Sequence, residues 1–181
     1  MACGISSGLS VNCTNLKRVG GVDKRAYAFN LSDLDNYVFD ADNYISDINF
    51  IAYAGLYKIE SRKQSHSGGY TLVNQTPGGN TFFQHDAIIK AFPLTPDDDL
   101  VIEDLAVSNV GLILETNNRE FILYGTYNGL EMTAGVQNTG QADASDIADL
   151  LTFTGAEEGK PKKILITDYA TTKAYLETLL V

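Results

Sequence analysis

An antiparallel β-sandwich or partly closed barrel, mainly β with one internal and one C-terminal helix packed on it, is the fold class this sequence predicts. Three observations carry that prediction. Strand-like runs follow one another without an intervening helix for most of the 181 residues, a pattern that favours antiparallel pairing. Residues 109–126 read as a compact hairpin, Asn109 to Glu115 and Glu120 to Thr126, joined by Thr116-Asn117-Asn118-Arg119. Asparagine tolerates the left-handed backbone that short hairpin loops need. Helix punctuation stands out at two places, Thr95-Pro96 and Thr167-Asp168. The tally is about eight strands and two helices.

The elements run as follows. Residues 1–21 are rich in Gly, Ser and Asn and end in Gly20-Gly21, so they read as an N-terminal arm with a short strand around Leu9 to Cys13. Residues 22–181 read as a single β-rich domain without an internal repeat or linker. Asp23 to Asn30 alternates as a strand, with Tyr27 and Phe29 on one face. Residues 31–43 hold Asp33, Asp35, Asp40 and Asp42 among aromatics, which suits a polar loop. Tyr44 to Ile51 and Ala52 to Glu60 are β-rich, with a bend or bulge at Gly55. Ser61 to Gly69 is the most polar stretch and reads as an exposed, mobile loop. Gly69 to Thr76 and Thr81 to Phe92 form a hairpin around Pro77-Gly78-Gly79-Asn80.

Thr95, Pro96, Asp97 and Asp98 spell an N-cap, a first-turn proline and acids that complement the positive end of a helix. Val101, Ile102 and Leu105 give this helix one apolar stripe, and it ends near Ser108. After the 109–126 hairpin, Tyr127-Asn-Gly-Leu130 and Asn138-Thr-Gly140 lead to a further strand at Leu151 to Gly155. Residues 141–150 fit either a turn of helix or a loop. Lys163 to Thr167 is a last short strand, followed by a helix burying Tyr175, Leu176, Leu179 and Leu180. Both helices are expected on one side of the sheets.

Composition bounds the function. A chain of this length buries roughly two-thirds of its unfolded surface as one domain. Hydrophobic content of 44% and charged content of 20% are those of a folded globular chain. A net charge of −10 disfavours nucleic acid and anionic lipid as binding partners. No apolar run approaches the ~20 residues needed to cross a bilayer. The first residues lack the basic and continuous apolar regions of a secretory signal. Cys3 and Cys13 read as free thiols of a protein made in a reducing cytoplasm, with mutual pairing the alternative.

The residues that could carry chemistry do not assemble into a site. Gly4-Ile5-Ser6-Ser7-Gly8 matches the nucleophile-elbow pattern, yet that motif needs a strand before the serine and a helix after it, and neither fits here. His66 and His85 are the only histidines. His85 and Asp86 are neighbours on a strand and point to opposite faces, while His66 falls in the polar loop, so both read as surface or structural residues. Metal-binding spacings are absent, and Asp97-Asp98-Asp99 reads as helix capping. The pairs Gly20-Gly21, Gly68-Gly69 and Gly78-Gly79 lack the context of a phosphate cradle. Ten tyrosines and eight phenylalanines could form a carbohydrate platform, but core or interface burial accounts for them more simply. The expectation is no catalytic, cofactor-binding or metal-binding residue, and a structural or interaction role.

Several segments resemble virion structural proteins of tailed bacteriophages. They are Cys3-Gly-Ile5, Cys13 and Gly20-Gly-Val-Asp-Lys-Arg-Ala-Tyr27, then Phe121-Ile-Leu-Tyr-Gly-Thr-Tyr-Asn-Gly-Leu-Glu131, Gly135, Asn138-Thr-Gly140 and Leu151-Thr-Phe-Thr-Gly-Ala-Glu157. The likeness is to proteins of phages and prophages of Bacteroidetes and marine bacteria, of the tail-tube type. It implies a non-enzymatic subunit that assembles into rings, typically sixfold, stacked around a lumen as a conduit for genome delivery. The implied partners are further copies of itself and other tail or neck proteins, with DNA only in transit, no membrane and no cofactor. The implied location is the virion tail, after synthesis in the bacterial cytoplasm. Alternatives are a capsid decoration, head–tail connector or neck ring protein and, from another class, a small-ligand or glycan-binding β module. Physically, sheet edges completed by neighbouring copies suit the resemblance, as do contacts through the 61–69 and 77–80 loops and the N-terminal arm. A lumen lined with acids would repel DNA.

Overall fold

The computed structural model describes residues 21–61, 65–75, 80–92, 95–138 and 148–181. The described elements are, in order, β1 (Val22–Asn30), a 3₁₀ turn (Leu31–Asp33), β2 (Leu34–Phe39), β3 (Ile45–Phe50), β4 (Tyr57–Glu60), β5 (Ser67–Gln75) and β6 (Asn80–Ala91). They continue with α1 (Pro96–Val107), β7 (Val110–Thr116), β8 (Phe121–Tyr124), β9 (Glu131–Asn138), β10 (Ala148–Glu157), β11 (Lys162–Ile164) and α2 (Tyr169–Thr178). Seven strands form one sheet in the order β2-β3-β11-β8-β7-β1-β4, and four form a second in the order β5-β6-β10-β9. The sheets pack as a sandwich and do not close into a barrel. Pairing is antiparallel throughout except between β3 and β11.

The two central strands explain the layering. β1 and β7 are covered on both faces, and all six residues from Val110 to Glu115 are buried. Because side chains alternate along a strand, each strand feeds two cores. Ala26, Ala28, Leu112 and Leu114 pack with Ala87, Ile89, Leu151 and Phe153 of the smaller sheet. Tyr27, Phe29 and Ile113 face the other way, packing with Ile45, Ile48, Phe121, Leu123 and Leu176. Tyr27 and Phe29 thus share a face, as their spacing requires. At Gly111 a Cβ would stand 2.1 Å from the Phe29 ring, so this position admits glycine for lack of room.

The helices lie against different cores. α2 is capped by Asp168, whose carboxylate accepts the Thr171 amide at 2.7 Å, and it sits on the second core through Leu176 and the half-buried Tyr169, Tyr175 and Leu179. The Tyr175 hydroxyl donates to Asp47 at 2.5 Å and accepts the Ile48 amide at 2.7 Å, tying the helix to β3. α1 has the full capping box: Thr95 Oγ1 accepts the Asp98 amide at 3.3 Å and the Asp98 carboxylate accepts the Thr95 amide at 2.9 Å. It touches the first core through Ile102 and Leu105 alone. None of its residues is buried, and Val101 is 53% exposed, so the expected apolar stripe is only half used.

Other expectations change. Residues 31–43 contain β2, which pairs with β3, where a loop was expected; Asp35 is exposed on β2, Asp40 and Asp42 sit in the turn closed by Asp40, and Asp33 ends the 3₁₀ turn, accepting from Asn30. Strand β5 begins at Ser67, within the segment expected as a loop, and His66 just before it is buried; residues 62–64 of that expected loop lie outside the described residues. β9 was not expected at all, and β8 and β11 end sooner than the sequence suggests, at Tyr124 and Ile164. The β7–β8 turn places Arg119, not an asparagine, in the left-handed conformation (φ 62°). The Leu9–Cys13 strand, the 77–79 turn and most of the undecided 141–150 stretch lie outside the described residues.

Candidate assembly surface

Each sheet has two edge strands, and the two sheets treat theirs differently. In the seven-stranded sheet, β2 is interrupted by register irregularities between Leu34 and Asn36 and between Val38 and Phe39. β4 is four residues long and carries Lys58 and Glu60, whose side chains pair at 2.8 Å. That bond from Lys58 is the main reason the Glu60 carboxyl is held below its usual range. Short length, bulges and charge are the ordinary ways of keeping an edge from pairing with another chain.

The four-stranded sheet has none of these at β5. Nine residues, Ser-Gly-Gly-Tyr-Thr-Leu-Val-Asn-Gln, contain no charge and no proline. β9 runs eight residues with a single charge, Glu131, at its first position. Leu72 and Val136 are 56% and 58% exposed on these strands. β9 does carry one bulge, where Thr133 is extra opposite the step from Thr152 to Phe153.

The β5–β6 hairpin also outruns its sheet. β10 pairs with β6 only as far as Glu157 opposite Phe83, so Thr81 and Phe82 pair with β5 alone. Tyr70 and Leu72 lie on the inner face, opposite His85 and Phe83, yet remain about half exposed because the hairpin extends past the other sheet. Tyr70 packs at 5.9 Å against Phe83, with the Lys160 ammonium 5.6 Å from its ring.

The outer face of the small sheet carries Thr71, Gln84, Asp86, Ile88, Lys90, Ala134, Val136, Leu150, Thr152 and Thr154 by alternation from these pairings. Its described charges are few. The acids gather instead on α1, with Asp97, Asp98, Asp99, Glu103 and Asp104 and no base, and around β2 and β3.

Residues named for possible chemistry are spent on structure. His85 is fully buried; its Nε2 donates to the Gly159 carbonyl at 2.8 Å and its Nδ1 accepts the Gly125 amide at 3.2 Å, which fixes one neutral tautomer. His66 Nδ1 accepts the Lys90 amide at 3.3 Å. Burial lowers the pKa of both. Asp98 is the capping residue described above, and Gly68-Gly69 lie within β5, where a Cβ on Gly68 would strike Tyr124. Gly4 to Gly8, Cys3, Cys13 and Gly78-Gly79 lie outside the described residues. Among the described residues no group of three His, Cys, Asp or Glu is placed to hold a metal. No helix there is long and apolar enough to cross a membrane.

Two buried carboxylates carry more structural weight than any histidine, and neither was anticipated. Glu157, 2% exposed, accepts the amides of Tyr127, Asn128 and Gly129 at 3.0–3.2 Å. It thereby gathers the β8–β9 turn against the end of β10. Glu115, 1% exposed, accepts the Tyr169 hydroxyl and lies 3.6 Å from the Arg25 guanidinium. Burial, then Glu115, pushes the Tyr169 hydroxyl up to about 12. A carboxylate in a strand pattern reads as solvent-facing, so only the periodicity of Val110–Glu115, buried on both faces, could have flagged it.

No protein-family model matches the chain, and no similar protein was found among curated proteins or solved structures.

Proposed function

We propose that this chain is a virion structural protein of the tail-tube type, without enzymatic activity, whose copies join side by side into rings that stack as a conduit for DNA. The observation that supports this best is the pair of long, nearly uncharged edges on the four-stranded sheet. Unpaired amides and carbonyls on such edges are completed by another chain. The two edges are different surfaces, so β5 of one copy meeting β9 of the next is a head-to-tail contact, the kind that closes into a ring. Successive strands in this sheet alternate in direction, and β9 of a neighbour placed beside β5 continues the alternation.

In such a ring the outer face of the small sheet would line the lumen. Threonine, glutamine and small apolar residues there give a polyanion little to hold, with Lys90 set against Asp86 and Glu131. That low charge, more than a wall of acids, is what would let DNA pass. The projecting β5–β6 hairpin is the natural axial contact, since among the described residues no strand of the larger sheet pairs beyond it and Leu72 stays 56% exposed.

Negative-stain microscopy and sedimentation of concentrated protein test the proposal. Stacked rings or tubes are expected. Thr71→Lys and Val136→Lys, each on an exposed edge position, should leave the circular dichroism unchanged and keep the protein monomeric. Single rings that never stack would move the reading to a neck or connector protein. A persistent wild-type monomer, with or without glycan binding, would overturn it.

A further inference from the structure

The two edges of the small sheet are flanked by opposite charges. On the β9 side, α1 packs beside β9 and reaches the core through Ile102 and Leu105. Val101 lines the cavity beside β4. Asp99 and Glu103 each lie two residues from Val101, about 200° around the helix, and so occupy the flank turned toward the four-stranded sheet. Asp149 on β10 marks that flank. It is 8% exposed, and burial, then Asp99, push its carboxyl above the usual range. Asp99 and Glu103 are exposed, and among the described residues neither forms an ion pair.

The β5 side carries a cation. His85 donates to the Gly159 carbonyl at 2.8 Å, which pins the chain to the inner face of β6. The next residue, Lys160, reaches the Tyr70 ring on β5. Lys160 is exposed and, among the described residues, forms no ion pair, unlike Arg25, Lys58 and Lys163. β5 itself contains no charge. Three strand spacings, roughly 14 Å, separate β5 from β9, so the lysine and the acids are held apart within one copy.

We infer that these groups form a charge-matched joint between two copies of the chain, Lys160 of one copy lying against Asp99 and Glu103 of the next. The joint rests on the edge-to-edge reading above and adds what selects the partner. When β9 of one copy continues the sheet beyond β5 of another, the inner faces of both small sheets lie on the same side. α1 flanks β9 on that inner side, and Tyr70 with Lys160 lies on the inner side of β5, so opposite charges meet there. β9 against β9 would set the acids of two α1 helices side by side, and β5 against β5 would set lysine beside lysine. Exposed charges of this kind act on the choice of partner and the rate of association more than on affinity.

Carbodiimide cross-linking of an equal mixture of isotope-labelled and unlabelled wild-type protein tests the joint without any substitution. An amide from Lys160 to Glu103 or Asp99 that joins a labelled to an unlabelled peptide is expected in assembled material. Lys160→Glu and Glu103→Lys, both at exposed positions, should keep the wild-type circular dichroism. Each should slow assembly about tenfold at low salt, followed by light scattering, and the difference should close at high salt. The double variant should recover the wild-type rate. Wild-type protein that assembles without these mixed cross-links would overturn the joint and leave the edge-to-edge reading standing. So would single variants as fast as wild type at low salt, or a double variant no faster than either single one. Wild-type protein that stays monomeric would overturn that reading and the joint with it.

Discussion

Glu157 and Gly129 lie 28 residues apart and are joined by a hydrogen bond of 3.2 Å from the Gly129 amide to the buried carboxylate. The amides of Tyr127 and Asn128 converge on the same group. One side chain therefore satisfies three successive backbone donors of this turn. Glu157→Ala should cost about 3 kcal/mol, the penalty for leaving buried donors unpaired. Glu157→Gln should cost less, because its amide oxygen still accepts. Urea denaturation followed by circular dichroism checks both, and an alanine variant as stable as wild type would contradict the role.

The two buried histidines predict a pH dependence. Burial lowers both below the ordinary 6.5, so near neutrality folded and unfolded chains alike hold them uncharged. Below about pH 6.5 the unfolded chain takes up protons that the folded one refuses. Their contribution is complete above that pH and is lost as pH falls through the lowered values. Stability should therefore begin to drop as pH falls below about 6.5, before the carboxylates titrate. Denaturation at a series of pH values, with histidine ring signals followed by NMR, measures it.

Gly111 is a packing glycine, in contrast to Gly159. A methyl at Gly111 overlaps the buried Phe29 ring, while one at Gly159 meets nothing within 4 Å. Gly111→Ala should destabilise by about 2–3 kcal/mol through overpacking. Gly159→Ala should be close to neutral. Thermal melts of the pair give the comparison directly.

Loss of the Thr95 cap should be felt locally. Thr95→Ala removes a bond worth about 1 kcal/mol. Since α1 buries none of its residues, the helix can open without the sandwich. Hydrogen exchange in residues 96–107 should speed up several-fold while the global denaturation midpoint stays near wild type.

Tyr169→Phe should act on Glu115. The substitution removes the hydroxyl that donates to this buried carboxylate and leaves the Arg25 guanidinium 3.6 Å away and the Tyr27 hydroxyl as polar neighbours. A cost of about 2 kcal/mol is expected for a charged acceptor losing a buried donor. Chemical denaturation of the variant provides the check.

What the sequence made legible follows the range of the interactions involved. α1 was readable to its first residue, because Thr95, Pro96 and Asp98 specify it within four positions. β7 and β8 were readable because apolar runs flank a turn. β2 was missed because Leu34-Asp-Asn-Tyr-Val-Phe39 is an edge strand whose exposed positions carry the polar residues that mark loops. β9 was missed for the same reason: Glu131-Met-Thr-Ala-Gly-Val-Gln-Asn138 shows no period when its outward face is bare. The depth of His66 and the work of Glu157 depend on partners 24 and 28–30 residues away, which no local pattern encodes. Which strands lie at the edges of the two sheets could be read only from the strand order.

That strand order has an arithmetical consequence. Four is even, so the two edges of the small sheet run in opposite directions. Copies added edge to edge by simple rotation never meet a neighbour in the wrong polarity. With three strands, or five, each new copy would have to be turned upside down to pair antiparallel, and only even numbers of copies could close. In the proposed ring, polarity would place no limit on how many copies complete the circle. That number would be set by curvature, and the Thr133 bulge on β9, at the proposed joint, is where a single inserted or deleted residue would change it.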